Sequence, residues 1–215
     1  SLVKRTLALD DPAALCRALG VAESVPPAPG LLGGLSAANR LLTRFIGHRL
    51  ADYATDNSDP VLDGCSHMSP YLHFGQISPL DIARRVSKSD APRAAIDAYL
   101  EQLIVRRELG LNACWFNPGY DRYDTLPAWS RKTLDQHRKD PREFLYSRAQ
   151  WEAGATHDPG WNAAQAEMVR SGQMHNYMRM YWGKKILEWS RTPEEAFATA
   201  LYLNNKYELD GRDPN

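Results

Sequence analysis

A chain of 215 residues with 43% apolar side chains is expected to fold as one large domain, or one domain with a short appendage, with volume for a buried ligand. Its 26 basic and 26 acidic residues cancel, which excludes whole-molecule attraction to phosphate, so any nucleic-acid contact needs a local patch. Cys16, Cys65 and Cys114 lie far apart and outside any CxxC spacing, which argues against a disulfide framework or thiolate zinc site; no run of 18 or more apolar residues and no signal peptide is expected, and a cytosolic (in a eukaryote, nuclear) location follows.

Residues 1–34 differ from the rest: a weak helical stretch over 12–19 is followed by a Pro- and Gly-rich run ending at Gly33 and Gly34, read as a linker. From 35 to 53, Leu41, Leu42, Phe45, Ile46 and Leu50 recur at three and four, the helical period. A polar loop over 56–66 precedes a helix that Ser78 caps and Pro79 opens. Asp90 is expected to cap a longer helix over 91–114, with Ile96, Leu100, Leu103, Ile104 and Leu111 inward and Glu101, Arg106, Arg107 and Glu108 crowded together. Further helices are predicted over 127–137, 147–152, 161–170, 174–189 and 193–206, the last with a Thr192/Glu195 capping box. No segment alternates for long enough to make a sheet, and no repeat of 20–50 residues recurs, so the expected fold is all-α.

Ordinary catalytic signatures are absent: there is no GxSxG, HExxH, GxxxxGK[ST] or GxGxxG, and the histidines are dispersed, so no metal is expected. The small, hydrogen-bonding residues over 64–69 either cradle an anion on backbone N–H groups or form a serine-rich helix cap. Met178, Trp182, Ile186 and Trp189 make one apolar stripe, with the two indoles about 10.5 Å of helical rise apart. Core packing accounts for that stripe, but Arg179 beside Met178 needs a carboxylate or charged ligand, and Asp210 is the candidate partner.

Taken together, SPYLHFGQIS over 69–78, LIVRREL over 103–109, the segment 174–189 and YLNNKYELDGRDP over 202–214 resemble, in order and spacing, the flavin-binding helical domain of class II cyclobutane pyrimidine dimer photolyases. The resemblance runs from about residue 35 onward and implies a linker over 1–34, by which an N-terminal α/β antenna domain would be joined, and a helical catalytic domain over 35–215, incomplete at its C-terminal end. It further implies a monomer that binds FAD in a bent conformation, accepts a flipped-out dimer from damaged DNA, and splits it with an electron from the photoexcited reduced flavin.

Carried over residue by residue, the resemblance places Tyr53 and the loop Cys65, Ser66, His67, Met68 and Ser69 at the phosphates and ribityl chain. It places the pair Arg179 and Asp210, with Gly211 and Arg212, at the ring, and the Asn204 amide facing flavin N5. Trp182, Trp161 and Trp189 correspond to an electron-supplying tryptophan chain with Trp182 nearest the ring, and the spacing of Trp182 and Trp189 on one helix is compatible with short hops. Gln102, Arg106, Arg107, Asn176, Tyr177 and Met180 fall at lesion- or DNA-facing positions. Gln102 departs from the family's glutamate; it still hydrogen-bonds but transfers no proton. Asn57 replaces an expected phosphate-binding arginine. The competing readings are a cryptochrome-like flavin photoreceptor without repair, which Gln102 favours, and a non-enzymatic helical binding module.

Overall fold

The computed structural model describes residues 11–21 and 25–214; residues 1–10 and 22–24 of the expected linker lie outside the described residues. Every regular element among them is helical, as expected. Helix α1 (Pro12–Ala18) is capped by Asp11, whose side chain accepts from the Ala14 N–H, and buries none of its residues. Helix α2 (Leu35–His48) presents Ala38, Leu42 and Phe45 to the interior. It stops earlier than its period predicts: Arg49 leaves the helical region at φ −130°, a 3₁₀ turn over Leu50–Asp52 follows, and α3 (Tyr53–Asp56) starts in a new direction with Leu50 and Tyr53 buried.

Helices α4 (Ser69–His73) and α5 (Pro79–Ser87) close the first core, α5 through Ile82 and Val86, one turn apart. Ser78 sits at the N-cap of α5 with extended backbone, although its side chain makes no capping bond. The long helix begins two residues beyond the position expected from an Asp90 cap, with Pro92 at the N-cap of α6 (Arg93–Leu100). It then passes through a π-helical stretch, Glu101–Arg106, into α7 (Arg107–Phe116). Ile96 and Leu103 are buried, whereas Ile104 and Leu111, expected inward, are 47% and 39% exposed, because each lies one position beyond the inward stripe that runs 96, 99, 103, 107, 110 and 114. The half-buried residues of α7 are instead Arg107, Gly110 and Cys114. The charge crowding resolves into Arg106 against Glu101 at 3.4 Å and Arg107 against Asp213 at 3.4 Å.

A second core is built from α9 (Arg148–Glu152), α10 (Pro159–Ser171), α11 (Asn176–Glu188) and α12 (Pro193–Tyr207), with the amphipathic α8 (Ala128–Gln136) preceding them. It is unusually aromatic: Trp151, Trp161, Trp182 and Trp189 are all buried, and removing a fully buried indole costs on the order of 3–5 kcal/mol. A complete capping box, Ser147 with Gln150, fixes the start of α9. At α12 half of the expected box forms, Thr192 accepting from the Glu195 N–H. Gly172 ends α10 at φ 69°, and a Cβ there would stand 2.8 Å from Leu209 Cγ. The Leu209 N–H donates to the Gly172 carbonyl at 2.9 Å, so this glycine lets the chain after α12 lie against the end of α10.

Candidate functional site

The segment after α12 returns across α11 and carries a compact group of charges. Arg179 on α11 reaches both Glu208, at 3.0 Å, and Asp210, at 3.2 Å. The Asn204 amide on α12 donates to the Gly211 carbonyl at 2.5 Å, so Asn204 and Arg179 meet the same short loop. A Cβ on Gly211 would overlap the Asn204 carbonyl, so only glycine permits this approach. Two further bonds tie the loop to the other half of the chain: Asp213 accepts from His73 of α4 at 3.3 Å and from Arg107 of α7 at 3.4 Å. Beside them, the Cys65 thiol lies 3.7 Å from His175 Nε2 at the N-cap of α11. The loop 64–69, the start of α11 and the loop 208–213 therefore come together, although they are far apart in sequence.

One guanidinium cannot neutralise two buried carboxylates. Glu208, whose side chain is 1% exposed against 10% for Asp210, is the one driven to hold a proton, and its pKa rises from 4.5 to about 8. Burial is the main cause; Arg179 opposes it and Asp210 pushes further upward. Sequence reasoning missed Glu208. Between 4.5 and 8 the folded chain holds a proton on Glu208 that the unfolded chain has released, so stability falls as pH rises through this window and levels off above it. Glu208→Gln is expected to remove that slope and to raise alkaline stability by an amount on the order of a few kcal/mol, at ~1.4 kcal/mol per unit of pKa. Melting temperature against pH for both proteins measures this; parallel curves would place the proton elsewhere.

In the loop 64–69, neither backbone nor side-chain acceptors among the described residues take the N–H groups of Cys65, Ser66 and His67. His67 has φ 55°, a left-handed conformation uncommon outside glycine. Behind this loop stand neutral donors: Tyr99 donates to Ser66 Oγ at 3.2 Å and has its pKa pushed up to about 12, chiefly by burial. Burial likewise raises the Tyr53 phenol and the Cys65 thiol. Uncharged hydroxyls beside unfilled N–H groups suit an anionic group. At the other end, among the described residues, Arg179 Nε has no hydrogen-bond partner, both Glu208 oxygens lack one beyond the ion pair to Arg179, and Asn204 Oδ1 accepts no hydrogen bond. A polar ligand with a phosphate at one end and an amide-rich ring at the other fits this donor set. Ser69 and Arg212 are exposed, and Met68 is a buried core residue that reaches a ligand only through its backbone.

The indoles pass inward from this group. Trp182, on α11 less than a turn beyond Arg179, stacks on Trp161 of α10 with ring centres 6.2 Å apart and planes at 7°. The Trp182 N–H donates to Gln165 Oε1 at 2.8 Å, and the Trp161 N–H donates to the Trp182 carbonyl at 3.1 Å. Trp182 and Trp189 make no ring contact among the described residues, because seven residues of one helix keep their rings apart. Trp151 of α9, which sequence reading passed over, lies 4.8 Å from Trp161 and 6.0 Å from Trp189. Its five-residue helix is too short to display a period, so no sequence signal gave it a face.

Gln102, Arg106, Asn176, Tyr177 and Met180 are all exposed, while Arg107 is 17% exposed and turned to Asp213. Two depressions, of about 550 and 210 Å³, lie elsewhere, the first along Ala128, Arg131 and Asp135 and the second between α9 and α10 around Gly154 and Val169. Among the described residues no group of three His, Cys, Asp or Glu is placed to hold a metal ion, and no helix is long and apolar enough to cross a membrane.

No protein-family model matches the chain. It is 51% identical over 184 residues to a deoxyribodipyrimidine photo-lyase of Methanothermobacter thermautotrophicus, covering 85% of this chain and 40% of the relative. It is 47% identical over 214 residues to a deoxyribodipyrimidine photo-lyase of Oryza sativa, covering 96% of this chain and 42% of the relative. The chain thus spans about two fifths of the length of these curated relatives. In fold it matches a bacterial class III photolyase from Agrobacterium tumefaciens, with a TM-score of 0.62 at 18% identity over 89% of this chain and 48% of that one.

Proposed function

The chain belongs to the photolyase family, close to its class II members, and on that premise we propose that it is the FAD-binding helical part, residues 35–215, of a light-driven lyase that splits cyclobutane pyrimidine dimers in DNA. The observation that carries the reading is the joining of two features: a polar cradle of Arg179, Asp210 and Asn204, and a stack of buried indoles that begins at Trp182 within a turn of it. A merely structural ion pair needs no such stack, and a merely structural aromatic core needs no orphaned donors beside it.

FAD, when bound, supplies visible absorption and a low-potential electron, which side chains lack. The residues of this chain hold, orient and shield it. The Cys65–His67 N–H groups receive the phosphates, with Tyr53, Ser66 and Tyr99 behind them. Arg179, fixed by Asp210, and Asn204 address the polar edge of the ring. Gln102, Arg106, Asn176, Tyr177 and Met180 lie on the surface and meet the damaged strand; the dimer leaves the helix at low cost because it already stacks poorly. Gln102 donates and accepts hydrogen bonds at the lesion without giving up a proton. Trp182, Trp161 and Trp189 restore the electron supply.

The test is direct. Flavin-loaded protein, chemically reduced beforehand, is illuminated with a dimer-containing oligonucleotide and the restored strand is quantified. Light-dependent restoration is expected. Flavin bound and photoreduced without restoration would transfer the chain to the photoreceptor reading.

A further inference from the structure

From the packing around Arg179 we infer that Glu208 is a positioning residue for the cofactor: it carries one proton whenever the pocket is filled, and so links flavin binding to the uptake of that proton. This rests on the functional reading above and gives a role to a buried acid outside the cradle of Arg179, Asp210 and Asn204. One nitrogen of Arg179, Nη2, serves both Glu208, at 3.0 Å, and Asp210, at 3.2 Å. Asp210 keeps 10% of its side chain in solvent and Glu208 only 1%. Among the described residues neither Glu208 oxygen has a hydrogen-bond partner beyond that ion pair.

The backbone adds to the crowding. Glu208 is the C-cap of α12, and its neighbour Leu209 donates to the carbonyl of Gly172, the C-cap of α10. Two helix C-termini meet here, and their outward carbonyls disfavour an anion. The charged groups that face Glu208 are Arg179 from α11, Asp210 from its own loop and Glu167 from α10. Arg179 and the backbone of Met174, just before α11, favour the carboxylate; burial, Asp210 and Glu167 favour the acid and prevail.

The proton decides what Arg179 can do. With Glu208 neutral, Arg179 and Asp210 form a balanced pair, and Arg179 Nε is left as a donor without a protein partner. With Glu208 ionised, one cation faces two anions and the group is left negative. FAD brings negative phosphates and a ring edge that needs the guanidinium as donor, and an extra buried carboxylate opposes both. The form of the chain that accepts FAD is therefore the one with Glu208 protonated. On the alkaline side of about pH 8, binding takes one proton from water, which forms an O–H bond on a Glu208 oxygen. The apparent affinity then falls with the protonated fraction, by about tenfold per pH unit.

The experiment compares wild type, Glu208→Gln and Asp210→Asn. Infrared spectroscopy of the flavin-free chain reads the proton without the cofactor. Between pH 4.5 and 8 wild type should show the C=O stretch of a buried carboxylic acid, and Glu208→Gln should lack it. Asp210→Asn leaves Arg179 to Glu208 alone, so the band should disappear at lower pH than in wild type. FAD titration in weak buffer with a pH indicator then reads the linkage. On the alkaline side of about pH 8 wild type should take up close to one proton per flavin bound and lose affinity about tenfold per pH unit, whereas Glu208→Gln takes up none and keeps one affinity throughout. A merely structural Glu208 shifts the melting temperature and leaves the slope of affinity against pH equal in wild type and Glu208→Gln; equal slopes overturn the linkage and leave the functional reading intact. A folded wild type without the acid band, or a band that Asp210→Asn does not move, overturns it too. Wild type that shows the band but binds no FAD at any pH overturns the functional reading, and the linkage with it.

Discussion

Replacing Arg179 with alanine is expected to abolish flavin retention and to lower stability by roughly 1–3 kcal/mol, since the guanidinium is 31% exposed but its carboxylate partners are buried. Asp210, 10% exposed, loses its cation, and Glu208 keeps its proton to still higher pH. The loop 208–213 is loosened at the same time, because Arg179 is the side chain that joins it to α11. Arg179→Lys separates the two consequences. An ammonium can replace the nitrogen that bridges both carboxylates, so most of the stability returns, but it has no counterpart to Nε, the buried donor without a protein partner. Flavin affinity should therefore remain weak in the lysine variant. Flavin content after reconstitution and a thermal melt measure the two effects; full flavin content in Arg179→Ala would move the cofactor away from this residue.

The second large effect is expected at Trp182. Trp182→Phe should eliminate photoreduction of oxidised flavin while leaving repair by chemically reduced protein near the wild-type level. A phenyl ring fills most of the space but is far harder to oxidise, and it leaves Gln165 Oε1 without its donor, at a cost of about 1–3 kcal/mol. Trp161 retains its own hydrogen bond, because the acceptor is the backbone carbonyl of residue 182 and not its side chain. Folding should survive for that reason. Loss of repair in pre-reduced protein would mean that Trp182 holds the lesion or the pocket itself, and the electron-supply role would fall.

The inner and outer parts of the candidate site differ in how readily the sequence reveals them. Arg179 was conspicuous because a guanidinium among methionines and aromatics demands a counter-charge, and Asp210 supplies it at 3.2 Å. Glu208 was not, since an acidic residue just beyond a helix ordinarily reads as solvated; it is buried because Gly172 and Leu209 press that segment against α10. Gln102 draws notice only through family resemblance, and it is exposed beside the inward stripe of Tyr99 and Leu103. Ile104 and Leu111 are exposed because the inward stripe runs through 103, 107, 110 and 114, one position to the side of each.

What the chain's letters determined unaided is the local order: helices where apolar residues recur at three and four, the start of the last helix at Thr192, and the absence of any segment patterned for a sheet. These depend on neighbours within a few residues, which is the range of backbone hydrogen bonding and capping. Only the tertiary structure decided that indoles from α9, α10 and α11 stand in line and that Arg179, Glu208 and Asp210 share one small volume. Those relations depend on the angles and offsets at which separate helices pack, set by the joint fit of many side chains, and no single helical period encodes them.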